Sequence, residues 1–122
     1  MSEQTNFTEV TAEKFTGNFV GDVTGSLIGT LSASAEISKA DSYALAAADK
    51  VTPIIVAKMT VGSKVLTLGL AANKAVIVYN SGSESYTVKN VATDTGTVLA
   101  TTKAILVVGS ATKDASIVVA LN

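Results

Sequence analysis

Four consecutive four-residue units at positions 15–30 constrain this 122-residue chain more than any other feature. They read Phe-Thr-Gly-Asn, Phe-Val-Gly-Asp, Val-Thr-Gly-Ser and Leu-Ile-Gly-Thr. Large apolar residues and glycines therefore alternate along one face of an extended chain. Glycine weakens a strand interior unless another backbone approaches closely or a turn needs positive φ. The repeat predicts either a spiral of turns or an extended shaft whose glycines lie at a symmetry axis.

A single copy of this shaft would carry an apolar stripe with no core behind it. We therefore expect the chain to associate with copies of itself in a closed cyclic assembly, and we expect a homotrimer. An ordinary glycine-rich hairpin is the alternative interpretation. A membrane-helix dimer motif is excluded because Asn18, Asp22 and Ser26 interrupt the apolar surface.

The chain before the repeat, residues 1–14, is polar, with isolated apolar residues at Phe7 and Val10. One interpretation is a free tail, as is common at chain termini. The other is an anchor arm that becomes ordered on a partner through these two side chains. Position alone does not separate the two interpretations.

Alanine replaces glycine over residues 32–52, and apolar residues recur there at heptad spacing. Because alanine is the strongest helix former, a short helical stalk ending at Pro53 is expected, with a continued extended stalk as the alternative. Together the repeat and this stripe predict a trimer interface. Its residues are Phe15, Gly17, Phe19, Gly21, Val23, Gly25, Leu27, Gly29, Leu31, Ile37, Ala40, Ala44, Ala47 and Val51.

The remainder, residues 54–122, has the pattern of an all-β domain of the sandwich or jelly-roll kind. The predicted strands are 54–60, 64–68, 74–80, 85–91, 103–108 and 115–121, and Asn80-Ser-Gly-Ser predicts a hairpin between the third and fourth. The runs 104–108 and 117–121 are continuously apolar, so both faces of these strands should be buried. A domain this small is marginal alone. Part of its apolar surface is therefore expected between subunits, and the C-terminus should be held in a sheet.

Composition excludes much chemistry. The chain has no Cys, His or Trp, all nine basic residues are Lys, and the net charge is -1. Disulfides, Cys or His metal sites and His-dependent catalytic triads are therefore excluded. No basic excess is present to bind nucleic acid, and no apolar run approaches the roughly 18 residues of a membrane span. We expect no enzyme activity, no cofactor, no metal, and neither a nucleic-acid nor a membrane partner.

One motif needs separate treatment, because Asp94-Thr-Gly-Thr97 matches the Asp-Thr-Gly signature of aspartic proteases. In that family large apolar residues precede the aspartate, whereas Ala92 and Thr93 stand here. The chain that follows is also too short for the family's flap and second apolar-Gly element. Since Asp and Gly both favour turns, the motif is interpreted as a loop.

The glycine repeat, the alanine-rich stretch and the small β domain together resemble fibre proteins of tailed bacteriophages. The layout is most similar to head-fibre or capsid-decoration proteins. The resemblance implies a homotrimer on the outside of a virion, made in the host cytoplasm. Residues 1–14 would then bind the major capsid protein through Phe7 and Val10, residues 15–53 would form the shaft and stalk, and residues 54–122 would face outward. The alternative function is a receptor-binding module that recognises a cell-surface glycan, for which a cluster of exposed aromatic residues would be needed.

Overall fold

The structure, a computed structural model, describes residues 31–122. The predicted anchor residues Phe7 and Val10, and the predicted interface positions from Phe15 to Gly29, lie outside this range.

Nine strands, arranged as two sheets, account for most of the regular structure in the described range. This confirms the prediction of an all-β domain. The six predicted strands are each present, and β1, β2 and β7 are additional. The elements are β1 Ile37–Lys39, β2 Tyr43–Ala44, β3 Ile54–Met59, β4 Lys64–Thr67, β5 Ala75–Asn80, β6 Tyr86–Lys89, β7 Thr97–Leu99, β8 Ala104–Val108, β9 Ile117–Ala120 and a short 3-10 helix Ala47–Lys50.

From β1 to β6, successive strands alternate between the two sheets. The five-stranded sheet has the order β1-β3-β5-β8-β9, and the four-stranded sheet has the order β2-β4-β6-β7. The pairs β1–β3, β3–β5, β2–β4 and β4–β6 are parallel, so β1 to β6 stack as three coils of a two-sheet spiral. Strands β7, β8 and β9 then pair antiparallel and close the last coil. Two facing sheets are therefore present, but with parallel neighbours rather than the antiparallel order of a jelly roll.

A single hydrophobic core lies between the sheets, because every second residue of each long strand points inward. The burial pattern of β3 and β5 alternates strictly along the strand. The core residues are Leu45, Ile55, Ala57, Met59, Leu66, Leu68, Leu70, Val76, Val78, Tyr86, Val88, Leu99, Ile105 and Val107.

The predicted helix in residues 32–52 is wrong. Strand β1 pairs with β3, β2 pairs with β4, and the only helical turn there is the short 3-10 segment. Backbone pairing with β3 and β4 outweighs the helix propensity of alanine, which is a weak preference over so short a segment. Because β1 and β2 form the first coil, the described domain also begins before the predicted boundary at residue 54.

The predicted hairpin between β5 and β6 is also wrong, because these strands belong to different sheets. Asn80 ends β5, and its fully buried side chain forms the corner between the sheets. Its Nδ2 donates to the carbonyl oxygens of Glu84 and Leu99 at 2.9 and 3.0 Å, and its Oδ1 accepts from the Gly82 N–H at 3.0 Å. The amide thus replaces the backbone pairing that a hairpin would have supplied.

A second buried amide holds the next corner. Asn90 follows β6; its Oδ1 accepts from the Leu70 N–H at 2.7 Å, and its Nδ2 donates to the carbonyl oxygens of Leu70 and Ser110. In the described range no buried side-chain nitrogen or oxygen lacks a hydrogen-bond partner. In both asparagines the amide nitrogen and the amide oxygen form hydrogen bonds that hold the corners of the fold.

Candidate subunit interface

The outward face of the five-stranded sheet is almost entirely apolar. One row of directly paired residues crosses β3, β5, β8 and β9 through Ile54, Ile77, Leu106 and Val119. Ala33, which precedes β1, extends this row by an isolated bridge to Ile54. The rows on either side, Val56–Tyr79–Ala104 and Ala75–Val108–Ile117, carry no charge. At one end Ser38 pairs with Lys58, which is the only charged residue in the outward positions of these strands. The outward apolar residues are Ile54, Val56, Ala75, Ile77, Tyr79, Ala104, Leu106, Val108, Ile117 and Val119.

The outward face of the four-stranded sheet is different. Its rows place Val65 beside Thr87 and Val98, and Thr67 beside Lys89. Threonine and lysine are interspersed with valine on the outward side, and the inward side is apolar, which is the normal pattern of a sheet with one face in water. The domain therefore has one ordinary solvated face and one face with the composition of a core.

The C-terminal strand β9 adds to this apolar surface. It pairs with β8, which agrees with the prediction that the C-terminus is held in a sheet. All four of its residues are nevertheless exposed, with Ile117 at 59% and Val119 at 46%. The predicted burial of both faces of β9 is therefore not met within one chain, because no strand of the other sheet covers it. An apolar edge strand without a charge or proline is normally paired or covered in a soluble protein.

The described members of the sequence-predicted interface do not form one stripe. Ile37 packs against the core of its own domain. Leu31 and Val51 are 68% and 78% exposed, and Ala40, Ala44 and Ala47 are exposed at separate places in the first coil. Residues at heptad spacing share one surface only on an α-helix, and residues 32–52 do not form one. The larger apolar surface on β3, β5 and β8 was signalled by their continuous apolar runs, which lack the alternation of a half-solvated strand.

The Asp-Thr-Gly motif forms a structural turn. Asp94 is buried; its Oδ2 accepts from the N–H groups of Asn90 and Val91, and its Oδ1 accepts from that of Asp114. Gly96 has φ of +84°, and a Cβ there would lie 2.5 Å from the Thr87 Cγ2. Both residue types are thus required by the loop itself, and both carboxylate oxygens of Asp94 are already engaged. This agrees with the interpretation of the motif as a loop.

The carboxylate of Asp94 also predicts a pH dependence. Burial raises its pKa, but the three backbone N–H groups that it accepts from outweigh burial and lower the pKa below the ordinary value. The carboxylate therefore makes its full contribution to the free energy of unfolding above about pH 4, the pKa of an aspartate in the unfolded chain. This contribution is lost as the pH falls through the lower pKa that Asp94 has in the folded chain. We expect Asp94→Asn to reduce the free energy of unfolding at pH 7 by about 1–2 kcal/mol.

Urea unfolding of both proteins between pH 7 and pH 2 measures this effect. The difference between wild type and Asp94→Asn should be constant above about pH 5 and should narrow below pH 4. A difference that stayed constant down to the lowest pH would contradict the assigned role of the carboxylate.

The tyrosines are dispersed. Tyr86 is buried, its hydroxyl donates to the carbonyl oxygen of Ala57 at 2.9 Å, and burial raises its pKa. The Tyr43 hydroxyl donates to the Asp49 Oδ2 at 2.6 Å, and the Lys39 Nζ lies over the Tyr43 ring, 4.2 Å from its centroid. Tyr79 lies in the apolar outward face of the five-stranded sheet. No cluster of exposed aromatic rings is present in residues 31–122, so the feature that would favour glycan binding is missing from this range.

Two other kinds of feature are absent from the described part of the chain. It contains no group of three or more acidic, His or Cys residues able to hold a metal ion. It also contains no helix long and apolar enough to cross a membrane. Comparisons with protein-family models, curated proteins and solved structures find no match.

Proposed function

We propose that this chain is a non-enzymatic structural protein of a virion, which decorates a phage capsid as a homotrimeric head fibre or cement protein. The N-terminal segment attaches it to the major capsid protein, and the C-terminal domain points outward. The protein is made in the host cytoplasm and ends on the capsid exterior.

The observation that carries this proposal is the contrast between the two outward sheet faces. A domain with water on all sides would alternate apolar and polar residues on both sheets, as β6 of the four-stranded sheet does. The five-stranded sheet instead presents a contiguous apolar surface, and such surfaces mark places that another protein covers. The glycine repeat and the resemblance to phage fibres connect this self-associating surface with a virion.

The alternative of a glycan-binding module has less support. Sugar recognition by this domain would need accessible aromatic rings beside polar groups, and Tyr86 is buried while Tyr43 is bonded to Asp49. A cleft of about 260 Å³ beside polar groups borders Asp94, but both oxygens of this carboxylate already accept from backbone N–H groups.

Deletion of residues 1–14 tests the attachment half of the proposal. We expect the shortened protein to form trimers like the full chain, because the arm precedes both the repeat and the β domain. It should no longer sediment with capsids from the encoding phage that were assembled without this protein. We expect the shortened protein to bind capsids at least tenfold more weakly than the full chain. The full-length double variant Phe7→Ala/Val10→Ala should show the same loss, because it lacks the two predicted anchor side chains.

Two results would count against the attachment. If the shortened protein bound capsids as tightly as the full chain, the anchor assignment would be wrong. If neither protein bound capsids, the decoration role itself would be wrong.

A further inference from the structure

We propose that three copies of the chain bury the outward faces of their five-stranded sheets against one another around a threefold axis. At each corner of this arrangement β9 of one copy lies beside the β1 edge of the next. The inference rests on the proposed homotrimer and specifies which surface forms it.

The charge distribution suits contact between identical faces. Charges on a surface that meets its own copies around an axis would meet like charges, which is costly away from water. Strands β5, β8 and β9 have no charged residue within their bounds. Lys58 lies at one end of β3, and its Nζ is 3.1 Å from a Glu36 carboxylate oxygen. The middle of the face therefore carries no charge, and its one lysine, at the edge of the face, forms an ion pair with Glu36.

The width of the sheet fits three copies. Five strands about 4.8 Å apart span about 19–24 Å, and an equilateral triangle with such sides has an inscribed radius of about 5.5–7 Å. Facing sheets pack about 10 Å apart, so each occupies about 5 Å on its own side. One layer of side chains from each sheet therefore nearly fills the centre. Three sheets of eight strands would leave a radius of about 10 Å, too wide for side chains to fill.

The same arrangement accounts for the exposed edge strand. Ala33 and Val119 are at opposite ends of the row that crosses the sheet, so they lie at the same height on the two edges. Head-to-tail contacts around a threefold axis bring the β9 edge of one copy to the opposite edge of its neighbour. This covers Ile117 and Val119, which no other part of the described chain covers. The sheet footprint is about 400 Å² per chain, the size of the largest apolar patch on a typical monomer, and such a patch is often functional.

Single cysteines test the face, because the natural chain has none. Ile77 is in the middle of the central strand β5, and Thr87 is in the middle row of the opposite, polar face. A short bis-maleimide should link two chains in most Ile77→Cys trimers, which gives a dimer band on a denaturing gel. The matched Thr87→Cys protein should stay at the monomer position.

A double variant tests the corners. Ala33→Cys/Val119→Cys cannot form a bond within one chain, because four strand spacings of about 19 Å separate the two positions and a disulfide needs Cα atoms within about 7 Å. Oxidation should therefore give covalent trimers, and each single variant should give far less cross-linked product.

The outcomes separate this inference from the proposed function. If the wild type were a trimer but only Thr87→Cys were cross-linked, the assigned face would be wrong while the homotrimeric decoration role would stand. Trimers in which neither Ile77→Cys nor the double variant were cross-linked would overturn the arrangement in the same way. A monomeric wild type at micromolar concentration would overturn both.

Discussion

The variant Ile77→Lys is expected to be a folded monomer. Ile77 is at the centre of the apolar face, so in the proposed assembly three ammonium groups would meet near the axis. Each chain loses the burial of one large apolar side chain, about 1.5–3 kcal/mol, and the desolvation of each charge costs several kcal/mol more. The total exceeds about 4 kcal/mol per trimer, so the trimer dissociation constant should rise at least about a thousandfold. Because that constant scales with the square of the concentration, the midpoint concentration for dissociation should rise at least about thirtyfold.

Thr87→Lys is the matched control, because it introduces the same charge in the middle of the opposite face. It should remain trimeric. Both variants should keep the circular dichroism of the wild type, since both positions point away from the core. Native mass spectrometry at several concentrations gives the result directly. An Ile77→Lys protein with the same dissociation midpoint as the wild type would show that the apolar face is not part of the interface.

The second large effect is expected at Asn80. Replacement by alanine removes three hydrogen bonds from the corner between the sheets and leaves the Leu99 carbonyl oxygen buried without this donor. Each buried polar group without a partner costs about 1–3 kcal/mol, and the cavity left by the side chain adds to this. We expect the free energy of unfolding to fall by about 3–4 kcal/mol. That is a large part of the 5–15 kcal/mol typical of a domain.

Asn122→Ala provides the control for Asn80→Ala. The Asn122 Oδ1 accepts from the Ala104 N–H at 2.8 Å, but the residue is exposed, so its loss should cost less than about 1 kcal/mol. Urea unfolding should be compared at one protein concentration, because association also stabilises the folded chain. Equal stability of the two variants would contradict the role given to Asn80.

The sequence predicted the strands of residues 54–122 well, because apolar runs and turn residues there are unambiguous. It did not predict β1 and β2, since the alanines of residues 32–52 favour helix locally and only pairing with β3 and β4 overrides that preference. The corner at Asn80 was mistaken for a hairpin because the turn residues suit both. Only the fold shows that the amide points inward.

The candidate interface was predicted in part. Continuous apolar runs such as Ala104–Val108 indicated strands buried on both faces, and the structure identifies the outward face concerned. The heptad spacing of Ala40, Ala44, Ala47 and Val51 predicts a common surface only if the segment is helical. Because the segment forms strands and a short 3-10 helix, these residues do not share a surface. The trimeric shaft of the glycine repeat stays a prediction, because its residues lie outside the described range.

The stoichiometry of the purified full-length wild type tests the central claim most directly. The claim is that the apolar face of the five-stranded sheet exists to be covered by copies of the same chain. Native mass spectrometry at micromolar concentration should give a single species of about 37 kDa, three times the 12.3-kDa chain. A stable species at 12.3 kDa under the same conditions would contradict it.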